Sequence, residues 1–258
     1  MPARKLIACF DVIKGRVTKA LKFFDNIDVA PAEELAVIMC GAGIDGLIFF
    51  DVNASAEKRA IDIETFKKVA ARVTVPLTVG GGIKTLDDMR GALAAGADKV
   101  SIDSMAVRNP ALIADGAKEF GSRRVVLSTQ VMRADKMPSG YEVYIDGARV
   151  ATGMDAIEWI KRGEELGAGE ICVNSNDNDG TLAGYDMALM KLADAAVSVP
   201  LIASGGAGKP EHLKEVFGET RAESAIISSM LYSPRLEKNY TVAELKEYLR
   251  ANGIEVGL

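Results

Sequence analysis

One stretch of this chain recurs at a distance of about half the chain length. Val75-Pro-Leu-Thr-Val-Gly-Gly-Gly82 resembles Val199-Pro-Leu-Ile-Ala-Ser-Gly-Gly206, which begins 124 residues later in a sequence of 258. Each copy is an apolar run that ends in glycines and leads into a helical pattern. A second apolar run follows each copy and ends in Ser-Met, at Ser104-Met105 and at Ser229-Met230. The pattern predicts two copies of one structural block.

Short apolar runs alternate with amphipathic segments along the whole chain. The eight runs, which we predict to be strands, are Leu6–Phe10, Leu47–Val52, Leu77–Val79, Lys99–Ile102, Val125–Ser128, Ile171–Asn174, Leu201–Ser204 and Ala225–Ser228. The helical patterns are Ala32–Cys40, Ile63–Arg72, Leu86–Ala95, Pro110–Phe120, Ala156–Leu166, Asp186–Ala195, Pro210–Phe217 and Thr241–Asn252. Strands that alternate with helices predict an α/β fold with a parallel sheet that is covered on both faces.

Two parallel architectures fit such a pattern, an open doubly wound sheet and a closed barrel. The repeat favours the barrel, because two half-barrels remove each other's exposed sheet edges when they pair. We therefore predict a (β/α)₈ TIM barrel built from two (βα)₄ half-barrel repeats. No linker composition interrupts the chain, so residues 1–258 are expected to form one barrel domain.

Composition excludes several classes of protein. The net charge of −5, from 31 basic and 36 acidic residues, argues against a nucleic-acid-binding surface, which would show clustered Lys and Arg. With one histidine, His212, and no Cys-x-x-Cys, neither a metal site nor another cofactor is expected. We find no signal-peptide pattern and no apolar run near the ~20 residues of a membrane span, so a cytoplasmic location without membrane contact is expected.

The repeated glycine turns are candidate phosphate sites. Glycines at the end of a strand let backbone N–H groups approach an anion, and a helix N-terminus beyond them adds the positive end of its dipole. Gly80-Gly81-Gly82 fits this description, as does Gly205-Gly206 with Gly208. The alternative is that these glycines only permit tight turns. Because the feature occurs twice at matched places, we favour two phosphate sites and a substrate phosphorylated at both ends.

Motifs along the chain resemble those of one known family, the cyclase subunits of imidazole glycerol phosphate synthase. The resemblance extends from about Lys5 to Val256. The segments that carry it are Ile7–Val12, Gly15–Lys19, Phe50–Ser55 with Glu57–Arg59, Val79–Ile83, Gly96–Ile102, Gly167–Glu170, Asp179–Thr181, Gly184–Asp186 and Ala203–Lys209, with His212.

This resemblance implies a function as well as a two-half-barrel fold. Family members take ammonia from a partner glutaminase through the barrel and condense it with a phosphoribulosyl-formimino aminoimidazole carboxamide ribonucleotide. The products are imidazole glycerol phosphate, for histidine biosynthesis, and an aminoimidazole carboxamide ribonucleotide. The substrate and phosphate-binding residues that the resemblance and the glycine turns predict are Lys19, Asp51, Gly81, Gly82, Asp103, Ser104, Asn174, Asp179, Gly180, Gly205, Gly206, Ser228 and Ser229.

The resemblance also implies two catalytic aspartates, one on strand one and one on strand five. Asp11 occupies the first position, but Gln130 occupies the second. A carboxamide cannot accept a proton at neutral pH, so weak or absent cyclase activity is expected with substrate binding largely kept. Asp103 is a second departure, because it stands where the family usually has asparagine.

Three functions stay open on these grounds. The chain is a cyclase altered at one catalytic position, a related barrel enzyme that acts on a different phosphorylated substrate, or an ammonia-channelling subunit for another amidotransferase. The two intact phosphate cradles indicate that a phosphorylated ligand still binds, which weakens the third function.

A charged gate at the other end of the barrel is the last feature that the resemblance implies. Its positions here are Lys5, Gly46, Lys99 and Glu170, and the family normally has glutamate where Gly46 stands. Both lysines are then expected to share one carboxylate. A glutaminase partner is expected at this N-terminal face, where Asp98 matches a family contact residue.

Overall fold

The structure is a computed structural model that describes residues 3–21, 24–54, 57, 59–233 and 236–257. Ser55 and Lys58, which belong to the segments that resemble the family, lie outside the described residues.

Twelve strands and ten α-helices occur in the described residues. The strands are β1 (Lys5–Ile13), β2 (Arg16–Leu21), β3 (Phe24–Pro31), β4 (Gly46–Asp51), β5 (Leu77–Gly80), β6 (Lys99–Ile102), β7 (Val125–Arg133), β8 (Tyr141–Ile145), β9 (Val150–Asp155), β10 (Glu170–Ser175), β11 (Leu201–Ser204) and β12 (Ser224–Ile226). The helices are α1 (Ala32–Gly41), α2 (Ile63–Ala70), α3 (Leu86–Ala94), α4 (Ser104–Arg108), α5 (Ala111–Phe120), α6 (Ala156–Glu165), α7 (Met187–Ala196), α8 (Pro210–Glu219), α9 (Ser228–Tyr232) and α10 (Val242–Ala251).

Eight of the strands close into a parallel barrel. Their order around the barrel is β1, β4, β5, β6, β7, β10, β11 and β12. The ring is completed by parallel pairing of β12 with β1, in which Lys5 lies opposite Ser224 and Ile7 lies opposite Ile226. The expected (β/α)₈ barrel is therefore confirmed, and each predicted strand corresponds to one barrel strand.

The strands are apolar on both faces because each face contacts a different core. On β1, Leu6, Ala8 and Phe10 belong to the large core between the barrel and its helices. Ile7 and Cys9 point the other way, into a smaller core inside the barrel. Alternate residues of a strand face opposite sides, so a strand buried on both sides must be apolar throughout.

The two halves of the barrel have matching additions. The antiparallel hairpin β2–β3 follows β1, the first strand of the first half, and β2 pairs with β1. The hairpin β8–β9 follows β7, the first strand of the second half, and β8 pairs with β7. Sequence analysis did not predict either hairpin. Each extends the barrel mouth on its own side, and the duplicated architecture therefore reaches beyond the repeated glycine motif.

The last barrel strand ends earlier than predicted, at Ile226 instead of Ser228. Ser228 is instead the first residue of α9. Its hydroxyl oxygen accepts a hydrogen bond from the Cys9 N–H at 2.7 Å and donates one to the Cys9 carbonyl at 3.0 Å. Because a side chain satisfies both backbone groups of Cys9, β12 does not need to continue along β1.

A search of the described residues finds no helix long and apolar enough to cross a membrane.

A buried ion pair ties the last helix to the amino end of the barrel. Lys246 on α10 donates to Asp45 Oδ1 at 2.7 Å and to the Gly43 carbonyl at 2.8 Å. The other Asp45 oxygen accepts from the Leu6 N–H at 2.9 Å. The Lys246 side chain is only 5% exposed, so its removal would leave a carboxylate with little solvent and no cation.

We predict that Lys246→Met lowers the free energy of unfolding by about 3–5 kcal/mol, the usual cost of breaking a buried ion pair from one side. Lys238→Met is the matched control, because the Lys238–Glu244 pair is largely exposed and should contribute less than about 1 kcal/mol. Urea unfolding of both variants checks this. Equal losses of unfolding free energy in the two variants would show that the buried Lys246–Asp45 pair contributes no more to stability than the exposed pair.

Candidate active site at the carboxyl end of the barrel

The barrel mouth contains one polar cavity formed where the parallel strands end. Its walls come from every barrel strand or the loop that follows it, and from the turn between β8 and β9. The lining residues are Cys9, Asp11, Lys19, Phe50, Asp51, Val52, Asn53, Gly81, Asp103, Ser104, Ser128, Gln130, Gly147, Arg149, Cys172, Asn174, Asp179, Ser204, Gly205, Gly206, Ala207, Ile226, Ser228 and Ser229. Carboxyl ends of barrel strands are where barrel enzymes place their active sites.

The structure brings most of the sequence-predicted site residues into this one cavity. Asp11 and Gln130 both line it, as do eleven of the thirteen predicted substrate and phosphate residues. Gly82 and Gly180 do not line the cavity, although each directly follows a residue that does. Lys99 and Glu170 begin their strands and lie at the opposite end of the barrel.

Asp11 is held in an ion pair that depends on the first hairpin. Lys19, on β2, donates to Asp11 Oδ2 at 3.0 Å. Thr18 of the same strand donates its hydroxyl to the Asp11 carbonyl at 3.0 Å. Burial disfavours the charge on Lys19, but the Asp11 carboxylate, together with Tyr232, Cys9 and Asp179, more than offsets this and raises the pKa of Lys19. The cavity therefore has a cation-carboxylate pair at the end of the first strand.

Two further aspartates, Asp51 and Asp179, line the cavity and differ in their surroundings. Asp51 accepts three hydrogen bonds, because Arg59 donates to both of its oxygens and the Asp62 N–H donates to it at 3.0 Å. Asp179 lies near the Asp11–Lys19 pair. Burial raises the pKa of Asp179 to about 6, although Lys19 favours its charged form.

Gln130 and Asp103 meet at the end of two neighbouring strands, β7 and β6. Gln130 Nε2 donates to Asp103 Oδ2 at 3.2 Å. Burial raises the pKa of Asp103 to about 7, and the hydrogen bond from Gln130 offsets only part of this effect. Asp103 was predicted as a residue of the phosphate site, but its polar partner in the structure is the residue at the strand-five position.

The two glycine turns have similar backbone geometry and pack against equivalent places in the fold. Gly81 and Gly205 have φ of +83° and +89°, in the region that favours glycine. A Cβ on Gly81 would lie 2.3 Å from the Asp51 carbonyl oxygen, and one on Gly205 would lie 2.5 Å from that of Ser175. Each turn thus packs directly on the end of the preceding strand, which leaves no space for a side chain.

The serines beside these turns are used differently in the two halves. Ser104 accepts a hydrogen bond from the Asp146 N–H at 2.9 Å and keeps its own hydroxyl proton for another acceptor. The Ser228 hydroxyl is committed to both backbone groups of Cys9, so a bound anion could use only its N–H. Ser229 lines the cavity beside it and is the better hydroxyl donor of the second turn.

The second hairpin also contributes to the cavity, and the sequence did not predict this. Arg149 brings a cation to the cavity next to Gly147, and its guanidinium donates to the Asp146 carbonyl at 3.1 Å. Positive φ angles at Asp146, Gly147 and Ala148 form the turn that places it there. The Asp-Gly pair at 146–147 is a typical hairpin sequence and could have indicated this element.

The predicted gate residues lie at the amino end of the barrel. Lys99 donates to Glu170 at 2.6 Å. Lys5 is exposed, and within the described part of the chain it forms no ion pair, so the idea that both lysines share Glu170 is wrong. The Ile7 side chain takes up the space beside Gly46, where an added Cβ would lie 2.8 Å from the Ile7 Cδ1 atom.

Neither thiol of the cavity is activated. Burial raises the pKa of Cys9 well above its usual range and raises that of Cys172 to about 12. Nor do the described residues contain a group of three or more His, Cys, Asp and Glu side chains positioned to hold a metal ion. Burial raises the pKa of Asp103 to about 7 and that of Asp179 to about 6, so these two carboxyls of the cavity can exchange protons near neutral pH.

Comparison with known proteins agrees with this picture. The family model "Histidine biosynthesis protein" matches residues 5–237. The chain is 46% identical to the imidazole glycerol phosphate synthase subunit HisF of Desulfosudis oleivorans, over 99% of this chain and 98% of that protein. It is 44% identical to the subunits of the same name from Desulfatibacillum aliphaticivorans, with the same coverage, and Oleidesulfovibrio alaskensis, over 100% of this chain and 99% of that protein. The chain belongs to the histidine biosynthesis protein family and, within it, to the HisF cyclase subunits of imidazole glycerol phosphate synthase.

Proposed function

We propose that this chain, acting as one barrel domain, closes the imidazole ring of imidazole glycerol phosphate. It would use ammonia and a phosphoribulosyl-formimino aminoimidazole carboxamide ribonucleotide. The observation that carries the proposal is the position of acid–base groups between two matched glycine turns in one cavity. Such a cavity suits a long substrate with a phosphate at each end and reacting atoms in the middle.

Each glycine turn would hold one phosphate. At the first turn, the N–H groups near Gly81, the Ser104 hydroxyl and the Arg149 guanidinium all reach the cavity. At the second turn, the corresponding groups are the N–H groups near Gly206 and the hydroxyl of Ser229. Backbone N–H groups and hydroxyls bind phosphate oxygens through charge-assisted hydrogen bonds. Lys19, Asn174 and Asp179 would contact the part of the substrate between the two phosphates.

Asp11 would act on the reacting atoms. Its side chain lies at a strand end in the wall of the cavity and is partly exposed there. Ring closure and cleavage of the C–N bond need groups that give and take protons. The pairing with Lys19 keeps a carboxylate in place to accept one.

The ammonia would enter from the opposite end of the barrel, from a glutaminase subunit. Lys99 and Glu170 form their ion pair there, at the start of strands that lead through the barrel to the cavity. Asp98, at the same end, is exposed and also accepts the Leu77 N–H at 2.8 Å. This face is the proposed docking site, since the subunit name of the relatives implies a second subunit.

We predict that the purified chain forms aminoimidazole carboxamide ribonucleotide when it is given the bisphosphate substrate and an ammonium salt. Asp11→Asn should lower kcat by about 10²–10⁴, the usual loss when an acid–base group is removed, with KM changed little. The control is Asp115→Asn on the exposed side of α5, which should keep the rate of the parent chain. If no product forms at any ammonium concentration, the proposed function is wrong.

We also predict that inorganic phosphate binds at both glycine turns. In Gly206→Ala, a Cβ would lie 2.0 Å from the Gly184 carbonyl, at a φ of +106°. The second turn must shift, so one of the two phosphate sites should be lost. Gly218→Ala is the control, because Gly218 has no neighbour within 4 Å and an ordinary helical φ. Crystals soaked in phosphate give the occupancy of each site, and phosphate at neither turn of the parent chain would refute the prediction.

A further inference from the structure

Asp103 differs from the other carboxylates of the cavity in its surroundings. Asp11 pairs with Lys19, and Asp51 pairs with Arg59. In the part of the chain that the structure describes, Asp103 has no Lys or Arg within ion-pair distance, and Gln130 is the one side chain seen to donate to it. A carboxyl that is enclosed in protein and lacks a cation holds its proton more readily than a paired one.

The orientation of Gln130 is fixed by a chain of side chains that crosses four neighbouring strands. Ser204 donates to Asn174 Oδ1 at 2.6 Å. Asn174 Nδ2 therefore faces Gln130 and donates to its Oε1 at 2.9 Å. This leaves the Gln130 Nε2 group pointing at Asp103. If the Gln130 carboxamide were turned over, it would place two N–H donors against each other.

The chain of hydrogen bonds ends at the Asp103 carboxyl, which lines the cavity. Every amide on the way is used as both acceptor and donor, and Asn174 is anchored a second time by Asn176 at 2.8 Å. Side chains locked in this way hold a terminal group in one position, which is what a proton-transferring group needs.

From this arrangement we infer that Asp103 is the second acid–base residue of the reaction and that Gln130 is its positioning residue. The inference rests on the proposed function. Strand β7 lies four places from β1 around the eight-stranded ring, and β6 lies three places from it. The Asp103 carboxyl therefore lies one strand away from the place opposite Asp11. The two departures from the family pattern amount to one exchange: the acid stands at position 103 and the amide at position 130, and a hydrogen bond joins them.

The other carboxyls of the cavity do not offer this position. Asp51 already accepts two hydrogen bonds from Arg59 and one from the Asp62 N–H. Asp179 lies on the side of Asp11, since Lys19 and Asp11 are the charges that affect it most. Among the cavity carboxyls of the residues that the structure describes, only Asp103 stands next to Gln130, the strand-five residue.

Asp103 and Asp11 would divide the proton transfers. Ammonia adds to the ketone carbon, whose oxygen leaves as water, and the new nitrogen then bonds to the formimino carbon. The bond from that carbon to the aminoimidazole nitrogen breaks, and its electron pair stays on the nitrogen. The carboxylic acid form of Asp103 gives this nitrogen a proton, and the Asp11 carboxylate takes the proton that the closing ring loses. Exchange with water then restores both groups, so the enzyme is unchanged.

The proton on Asp103 should be visible in the pH dependence of the reaction. The titratable and charged groups that face Asp103 are Asp146 from the second hairpin, Arg108 from α4 and the Cys172 thiol. Arg108 and Asp146 pair with each other and so largely cancel. Since the pKa of Asp103 is about 7, the acid form is lost above that pH, and kcat/KM should fall with it.

The test compares kcat, KM and the pH profile of five proteins, the parent chain and four variants that include Asp179→Asn, with the bisphosphate substrate and ammonium salt. Asp103→Asn should lower kcat by about 10²–10⁴, leave KM within a few-fold, and remove the fall near pH 7. The double variant Asp103→Asn/Gln130→Asp returns the acid to strand five and should recover most of kcat. Asp115→Asn should match the parent chain in all three measurements.

Several outcomes would overturn the inference. If the parent chain turns over and Asp103→Asn keeps its kcat and pH profile, Asp103 is not an acid–base residue, although the proposed function stands. If Asp179→Asn removes the fall near pH 7 and Asp103→Asn does not, the role belongs to Asp179. If Asp103→Asn lowers the melting temperature and raises KM, and the double variant recovers no rate, Asp103 is only structural. If the parent chain has no turnover, the proposed function fails, and the role of Asp103 in it fails too.

Discussion

Parallel pairing between the first and the last barrel strands is the interaction on which the rest of this structure depends. Three residues of β1 pair with three of β12, and beyond them the Ser228 hydroxyl replaces the backbone of β12 against Cys9. Closure removes the sheet edges. It also brings strand ends that are more than a hundred residues apart in sequence onto one rim, and this makes a shared cavity possible.

The duplicated half-barrel sets the spacing of groups on that rim. Each half provides one first strand with a hairpin behind it, and one glycine turn packed on the end of the strand before it. The first strands of the two halves bring Asp11 and Gln130 to opposite sides of the mouth. The two glycine turns are related in the same way. A substrate with two phosphates and a reacting centre between them matches this symmetry, whereas a small substrate with one phosphate would leave half of it unused.

The fold and most of the cavity could be predicted from the sequence. Local runs that are apolar throughout identify barrel strands, because both faces of such strands are buried, and the repeated glycine motif identifies both turns. The bounds of β6 and β11 agree with the prediction to the residue. The hairpin strands β2 and β9 could not be found in this way. Arg16 and Lys19 interrupt the apolar pattern of β2, and the residues of β9 are exposed or only half-buried.

The partnership of Asp103 with Gln130 was not predictable for a different reason. It depends on the register between β6 and β7, in which Ile102 lies opposite Leu127, and on the orientation of a carboxamide set by residues on two more strands. Sequence alone placed Asp103 beside a phosphate, where a carboxylate would be repelled. In the structure Asp103 accepts a hydrogen bond from the Gln130 amide instead. Gln130 then does not simply mark the loss of an acid–base group, because it positions a carboxyl on the neighbouring strand.

The protonation state of Asp103 in the free protein tests this account most directly. Carbon-13 NMR of aspartate side-chain carboxyls, with the Asp103 signal assigned by its absence in Asp103→Asn, gives the titration midpoint without any substrate. The account predicts a midpoint near pH 7, in line with the pKa of about 7 that burial gives this group. A midpoint near the ordinary aspartate value of about 3.9 would contradict it, because Asp103 would then have no proton to give at neutral pH.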